Sequence, residues 1–375
     1  MLDRSTRRGA AGVAVTVALA LTVAACGSPG TSSGGGAAAT GSSDVIDDLN
    51  GLSAGEQRDE AVKQAKEEGE LDLYTGASEG TANALSEAFT EQFGIKVNVF
   101  RASSEDVLQR VLQESSANRL GADALFLSQA TISSVADEDL LAGYEGSAAD
   151  DLGADAQHDG WTTASGYLYL PVWNTDRITE GNEPTSWEDL ADPRFDGQLT
   201  LEASDSDWFG ALSTYWADQG KSQEEIDGLW ADIVDGASVA SGHSTMVQLL
   251  GAGQTGVNAM NYDYIAAGAQ DDGAPVAYQQ ADGSVPTPAF VYPFGVGALG
   301  QAEHPAAAWL FADWLLDEGQ DVLADRHLLS AAVAAGDEAP PGVTTIPFPT
   351  SVDEDSKDWA DRYDALLRGV PVTGD

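Results

Sequence analysis

Cysteine occurs once in the 375 residues, at Cys26, so no disulfide can form within the chain and no thiolate cluster can hold a metal. Histidine is almost as scarce, with four residues and no H-E-x-x-H pair. Basic residues are few: 17 Lys and Arg stand against 61 Asp and Glu, for a net charge of −44. Such a surface repels nucleic acid and anionic lipid. It suits solubility in a salty or exposed exterior, and it also attracts cations. With no staples available, a chain of this length depends on a buried core, and two lobes are the expectation.

The N-terminus carries Arg4, Arg7 and Arg8, then an apolar run over residues 12–25. That run falls short of the about 20 residues a permanent membrane helix needs and reads as a cleavable signal peptide over 1–25. Val23-Ala24-Ala25-Cys26 resembles a bacterial lipobox, which implies a lipid on Cys26 and a place on the outer face of the cell membrane. Gly-Ala follows Arg7-Arg8 where a twin-arginine signal has a bulky apolar pair, and the export route stays open. Residues 26–43 are Gly, Ser, Ala and Thr with one Pro, the composition of a flexible tether. Inside it Gly30-x-Ser32-x-Gly34 copies the nucleophile-elbow pattern, which works only on a strained strand-to-helix turn and is here an accident of composition.

The body alternates strand and helix patterns. After a helix-like stretch at 59–68, strands are expected at 71–74, 95–100 and 123–127, with helices at 79–93 and from Ser103-x-x-Asp106 onward. Strand-helix-strand-helix-strand implies a parallel sheet, whose ligands sit beyond the carboxyl ends of the strands. A second α/β block covers about 171–289, with strands at 198–201 and 257–261 and helices at 207–218, 223–233 and 244–251. An apolar strand at 290–299 and a helix at 304–316 follow. Gly295-x-Gly297-x-x-Gly300 satisfies the dinucleotide fingerprint on paper, but it lacks the βαβ context and a helix directly after it.

This order of segments resembles bacterial extracellular solute-binding proteins of ABC importers, in the branch of the ferric-iron-binding proteins. The likeness rests on Leu73-Tyr-Thr-Gly-Ala-Ser78, Phe93-Gly-Ile-Lys-Val97, Gly121 to Phe126, Pro184 to Leu190, Asp192 to Gly197, Gly253 to Tyr264 and His304 to Gln320. It implies an α/β, two-lobed periplasmic-binding-protein-like fold with a hinge of crossing strands, near 167–173 and 288–293. The expected division is 44–170 for the first part of lobe 1, 171–289 for lobe 2, and 290–375 for the return to lobe 1 and the C-terminal helices. The resemblance also implies a non-enzymatic receptor that hands its ligand to an ABC permease, with Fe3+ as transported cargo and no cofactor of its own.

In the iron-binding relatives paired tyrosines follow the strand matched here by 257–261, which implies Tyr262, Asp263 and Tyr264 as metal ligands. The family's early histidine and its glutamate fall on Ser78 and Ser128. Hydroxyls gather in the expected cleft turns, at Ser78, Thr81, Ser104 and Ser128, where helix N-termini and O–H donors could hold a phosphonate or sugar phosphate. Across the cleft Glu202, Ser204, Asp205 and Asp207 precede a helix with Trp208 in its first turn, and carboxylates beside an aromatic face could hold an ammonium group such as a polyamine's. For each Ser and Asp taken singly, ordinary helix capping is the stronger reading. His243 and Tyr292 complete the candidates, while Tyr167, Tyr169 and Trp173 read as packing, and Trp187, Trp309 and Trp314 as core. A secreted enzyme would need a nucleophile–base pair or a metal constellation, and neither pattern is present.

Overall fold

The computed structural model describes residues 42–369 apart from 339, 350 and 355. The expected signal peptide, Cys26 with its lipid, and nearly all of the expected tether lie outside the described residues. No helix among the described residues is long and apolar enough to cross a membrane.

Strands β1 (Glu70–Thr75), β2 (Lys96–Arg101) and β3 (Ala124–Ser128) run parallel, joined through helices Glu79–Phe93 and Ser104–Ser116. Leu85, Phe89 and Phe93 form the buried stripe of the first helix, and Gly94 closes it in the left-handed region at φ 75°. Nine further strands follow: β4 (Leu141–Ala142), β5 (Thr162–Asn174), β6 (Leu199–Glu202), β7 (Ser238–Ala240), β8 (Val257–Tyr262), β9 (Val276–Ala277), β10 (Ala289–Leu299), β11 (Leu329–Ser330) and β12 (Thr345–Pro347). All join one sheet, whose main path is β2-β1-β3-β10-β5-β8-β6-β7.

Two aromatic cores mark the two lobes. Phe89, Phe126, Trp309, Phe311 and Trp314 fill the first, and Trp187, Trp208, Phe209, Trp216 and Trp230 the second. Between them β5 and β10 run antiparallel in register Phe290↔Tyr169, Tyr292↔Tyr167. β10 continues into the first lobe by pairing with β3, and β5 continues into the second by pairing with β8. The register of β5 on β8 shifts between Leu170 and Val172, where Pro171 has no N–H to give the ladder.

Three features depart from the sequence pattern. Residues 42 and 43, expected as tether, open helix Ser42–Asn50, which buries Ile46 and Leu49 in the first core. Helix Asp263–Asp271 starts directly at the end of β8. The C-terminal part does not stay with lobe 1: helix Ser356–Leu367 places Tyr363 and Leu366 in the second core, and the Tyr363 hydroxyl donates to the Glu202 carbonyl at 2.7 Å. The apolar face of that helix finds its partner in helix Ser206–Asp218 of the second lobe.

The Gly295-x-Gly297 pair lies inside β10 and is there for packing: a Cβ on Gly295 would stand 2.3 Å from a ring carbon of Trp161. Gly295→Ala must push that indole aside, and we expect a loss of about 1–3 kcal/mol from overpacking. Urea unfolding measures it; an unchanged midpoint would show that the indole moves at no cost.

Candidate functional site

The parallel strands of both lobes end at one cleft. β1 delivers Gly76 and Ser78, β2 delivers Arg101, Ser103 and Ser104, and β3 ends on Ser128. From the other lobe, β7 leads into Gly242, His243, Ser244 and Thr245, and β8 ends on Tyr262. The cleft has a volume of about 430 Å³. A broader hollow of about 890 Å³ lies at the β2 edge, but its Glu114 is already taken by Tyr74, Arg110 and the Gly121 amide.

Of the residues expected at the site, Ser78, Ser104, Ser128, His243, Tyr262, Tyr264 and Tyr292 line this cleft. Thr81 lines a small adjoining recess together with Ser78, Tyr167 and Tyr264. Ser204, Asp205 and Asp263 are not in the wall. Asp263 is the first residue of its helix and turns inward, where Oδ1 accepts the Leu168 N–H of the crossing strand at 2.9 Å. Burial pushes its carboxyl up to about 7 against the pull of those amide bonds. The Ser204 hydroxyl donates to Glu202 at 2.6 Å, and Asp205 Oδ1 lies 3.0 Å from His243 Nε2.

The hydroxyls at the first-lobe turns serve the fold mainly as acceptors, which, among the described residues, leaves the O–H groups of Ser103 and Ser104 free to donate. Ser78 caps its helix by accepting from the Thr81 N–H, and Ser103 accepts from the Asp106 N–H. Ser104 Oγ accepts from the Ser128 N–H, and Ser128 pairs with Thr131 at 2.9 Å. The space between these turns is tight, since a Cβ on Gly76 would fall 2.1 Å from Ser104 Oγ.

The tyrosines form the other half of the wall. The Tyr169 and Tyr292 rings stack with centroids 5.1 Å apart and planes at 11°; Tyr169 stacks on Tyr262 at 5.2 Å, and Tyr262 on Tyr264 at 5.9 Å. Tyr167 packs against Tyr262 at 4.8 Å. The Tyr169 hydroxyl donates to Asp207 Oδ2 at 2.8 Å. Among the described residues the hydroxyls of Tyr167, Tyr262 and Tyr264 meet no hydrogen-bond partner. Burial holds the Tyr167, Tyr169 and Tyr262 phenols well above their ordinary value. Tyr264 reaches about 12, raised by burial and then by the Asp263 charge and eased by Arg101.

Sequence reasoning missed Arg101, Glu105 and Thr245, and it placed Tyr167 and Tyr169 in packing roles although both line the cleft. Arg101 ends a strand that points at the cleft, which was a usable signal: its Nε donates to the Ala77 carbonyl at 2.8 Å, and it makes no ion pair among the described residues. Asp207 stands in the cleft wall, its carboxyl pushed up by burial and held back by the Tyr169 and Trp208 bonds.

The sequence model described as bacterial extracellular solute-binding protein matches residues 122–348. An Fe(3+)-binding periplasmic protein of Serratia marcescens is 23% identical over 286 residues, 73% of this chain and 82% of that protein. Iron-bound HitA from Pseudomonas aeruginosa superposes with a TM-score of 0.63 at 20% identity, covering 80% of this chain and 98% of that one. AfuA from Actinobacillus pleuropneumoniae, solved with fructose-6-phosphate, gives 0.62 at 17%, with 80% and 98% covered. The match spans more than half of the sequence, and the two-lobed fold agrees with it: the chain belongs to the bacterial extracellular solute-binding protein family.

Proposed function

We propose that the chain captures ferric iron, or a ferric complex, between its lobes and passes it to an ABC permease, while a lipid on Cys26 keeps it at the outer face of the membrane. The observation that carries this reading is the group of tyrosines in the cleft wall, three of whose hydroxyls have no protein partner among the described residues. Fe3+ is a hard cation satisfied by phenolate, carboxylate and imidazole, and Glu105, Asp207 and His243 stand in the same wall. The ferric relative from Serratia marcescens and the iron-bound Pseudomonas structure support it. In this reading Asp263 acts as an anchor for the crossing strand, and Tyr262 and Tyr264 are the ligands.

A second reading rests on Arg101. An unpaired guanidinium, beside the N-termini of helices Ser104–Ser116 and Gln129–Ala136, offers a place for an anionic group. A phosphonate or sugar phosphate would use it, as would the carboxylate of a ferric chelate. Titration with ferric citrate, hexose phosphates, aminoethylphosphonate and polyamines, followed by Trp fluorescence and thermal shift, separates these cargoes. Silence from all of them sinks the reading.

With ferric citrate we expect a visible phenolate-to-iron band. Replacing both Tyr262 and Tyr264 by Phe should abolish it and weaken binding at least tenfold. An unchanged spectrum removes the two residues from the site.

Because the fold holds these phenols protonated near neutral pH, each phenolate bond to iron releases a proton. Affinity is therefore expected to fall as the pH drops, by about tenfold per pH unit for each proton released. Competition against a chelator of known pH dependence, from pH 8 to pH 6, measures the slope, and a flat profile excludes phenolate ligation. Cys26→Ala should leave binding intact and move the protein from the membrane fraction to the medium; continued membrane retention argues against the lipid.

A further inference from the structure

The four histidines all lie among the described residues, and three are engaged away from the cleft. His158 stacks on Trp161, His304 Nδ1 bonds Asp123, and His327 Nε2 pairs with Asp271. His243 alone stands in the cleft wall. Its setting is unusual for a mere capping residue. The imidazole is largely buried, Nε2 lies 3.0 Å from Asp205 Oδ1, and Nδ1 is buried with no hydrogen-bond partner among the described residues. A buried ring nitrogen left unsatisfied costs stability and calls for a reason.

The surroundings fix the ring. Gly242, at φ 88°, donates its N–H to Glu202 Oε1 at 2.8 Å, and the His243 carbonyl accepts from Asn261 Nδ2 at 3.2 Å. Asp205 occupies the N-cap position of helix Ser206–Asp218 yet makes no side-chain cap bond there. Its carboxylate is diverted from the ordinary capping role to the imidazole. A carboxylate that accepts Nε2–H sets the tautomer and leaves the lone pair on Nδ1. That is how a histidine is prepared as a metal ligand by an outer partner. The Tyr262 ring lies against the imidazole, centroids 3.9 Å apart, so phenol and imidazole are neighbours in one wall.

We propose that His243 donates Nδ1 to the transported metal ion, with Asp205 as the positioning residue that holds the imidazole for it. The proposal rests on the ferric reading above and names the nitrogen donor within it. Burial lowers the affinity of His243 for its proton, but the Asp205 bond and the nearby carboxylates raise it on balance, so an incoming metal competes with a proton here.

The test is pulsed electron paramagnetic resonance on the full chain loaded with ferric citrate. Since no other histidine lines the cleft, imidazole-nitrogen coupling to the iron in the wild-type protein reports His243, and H243A and H243Q should both lose it. D205N should keep the coupling and bind iron about 10–100-fold more weakly, the range found for outer partners of metal-bound histidines. Melting curves of the unloaded variants identify any that fail to fold, and the wild-type spectrum needs no variant. Iron uptake with tyrosinate colour but no nitrogen coupling overturns this proposal and leaves the ferric reading standing. H243A binding at wild-type affinity also overturns it. No ferric uptake by the wild-type protein overturns both.

Discussion

The antiparallel pairing of β5 with β10 is the constraint on which the rest of the molecule depends. Each strand belongs to both lobes, so the register Phe290↔Tyr169, Tyr292↔Tyr167 fixes two things together: how the lobes join, and which side chains face the cleft. Side chains alternate along a strand, so Tyr167 and Tyr169 share a face, and their partners Tyr292 and Phe290 share it too. β8 adds Tyr262 directly opposite Tyr169. A slip of one residue would turn the whole group away from the cleft. The irregularities at Phe294/Gly295 and Leu170/Val172 bound the regular stretch on either side.

That geometry sets the electrostatics. The tyrosines are packed ring on ring along the cleft wall, and that packing raises the Tyr167, Tyr169 and Tyr262 phenols above their ordinary value. The carboxyls of Asp205 and Asp263 behave alike, both pushed up to about 7 by burial, although the His243 bond and the backbone amides respectively pull them down. A neutral ligand gains little from such groups. In the proposed reading a trivalent cation replaces the protons of the wall phenols, while Asp205 and Asp263 act through the imidazole and the crossing strand. The chain's excess of acidic residues raises the local concentration of cations at the surface, but the buried donors determine which cation stays.

Much of the fold was legible in the sequence, because the hydrophobic period in the first lobe is clean: strands expected at 71–74, 95–100 and 123–127 lie within a residue or so of β1, β2 and β3. Legibility failed where tertiary contacts decide. Tyr167 and Tyr169 sit in a thirteen-residue strand buried along nearly all its length, and no local pattern tells a cleft face from a core face. Tyr262-Asp263-Tyr264 reads as three neighbouring donors, but the strand ends at Tyr262 and a helix begins at Asp263. That change of period turns the carboxylate toward Leu168 and leaves the two rings in the wall. The place of the C-terminal helix is hidden for a similar reason, since its apolar face is visible in the sequence and its partner in the second core is not.

The hydroxyl-rich turns show how composition can mislead about ligand. Ser78, Ser103, Ser104 and Ser128 suggest an anion site when read as donors, but the fold uses Ser78, Ser103 and Ser104 as acceptors and pairs Ser128 with Thr131, so part of that donor capacity remains. An anion would meet those O–H groups together with the Arg101 guanidinium and the amides at the helix starts. The phenols of Tyr167, Tyr262 and Tyr264 are in the opposite position, since no protein group engages their oxygens among the described residues. A buried polar group with no partner gains most by meeting a ligand, because it has no water bond to give up. Of the buried unpartnered side-chain atoms among the described residues, His243 Nδ1 is the one that belongs to the cleft lining. A ferric chelate would draw on both sets, its metal on the phenols and the imidazole and its carboxylates on Arg101 and the free serine O–H groups.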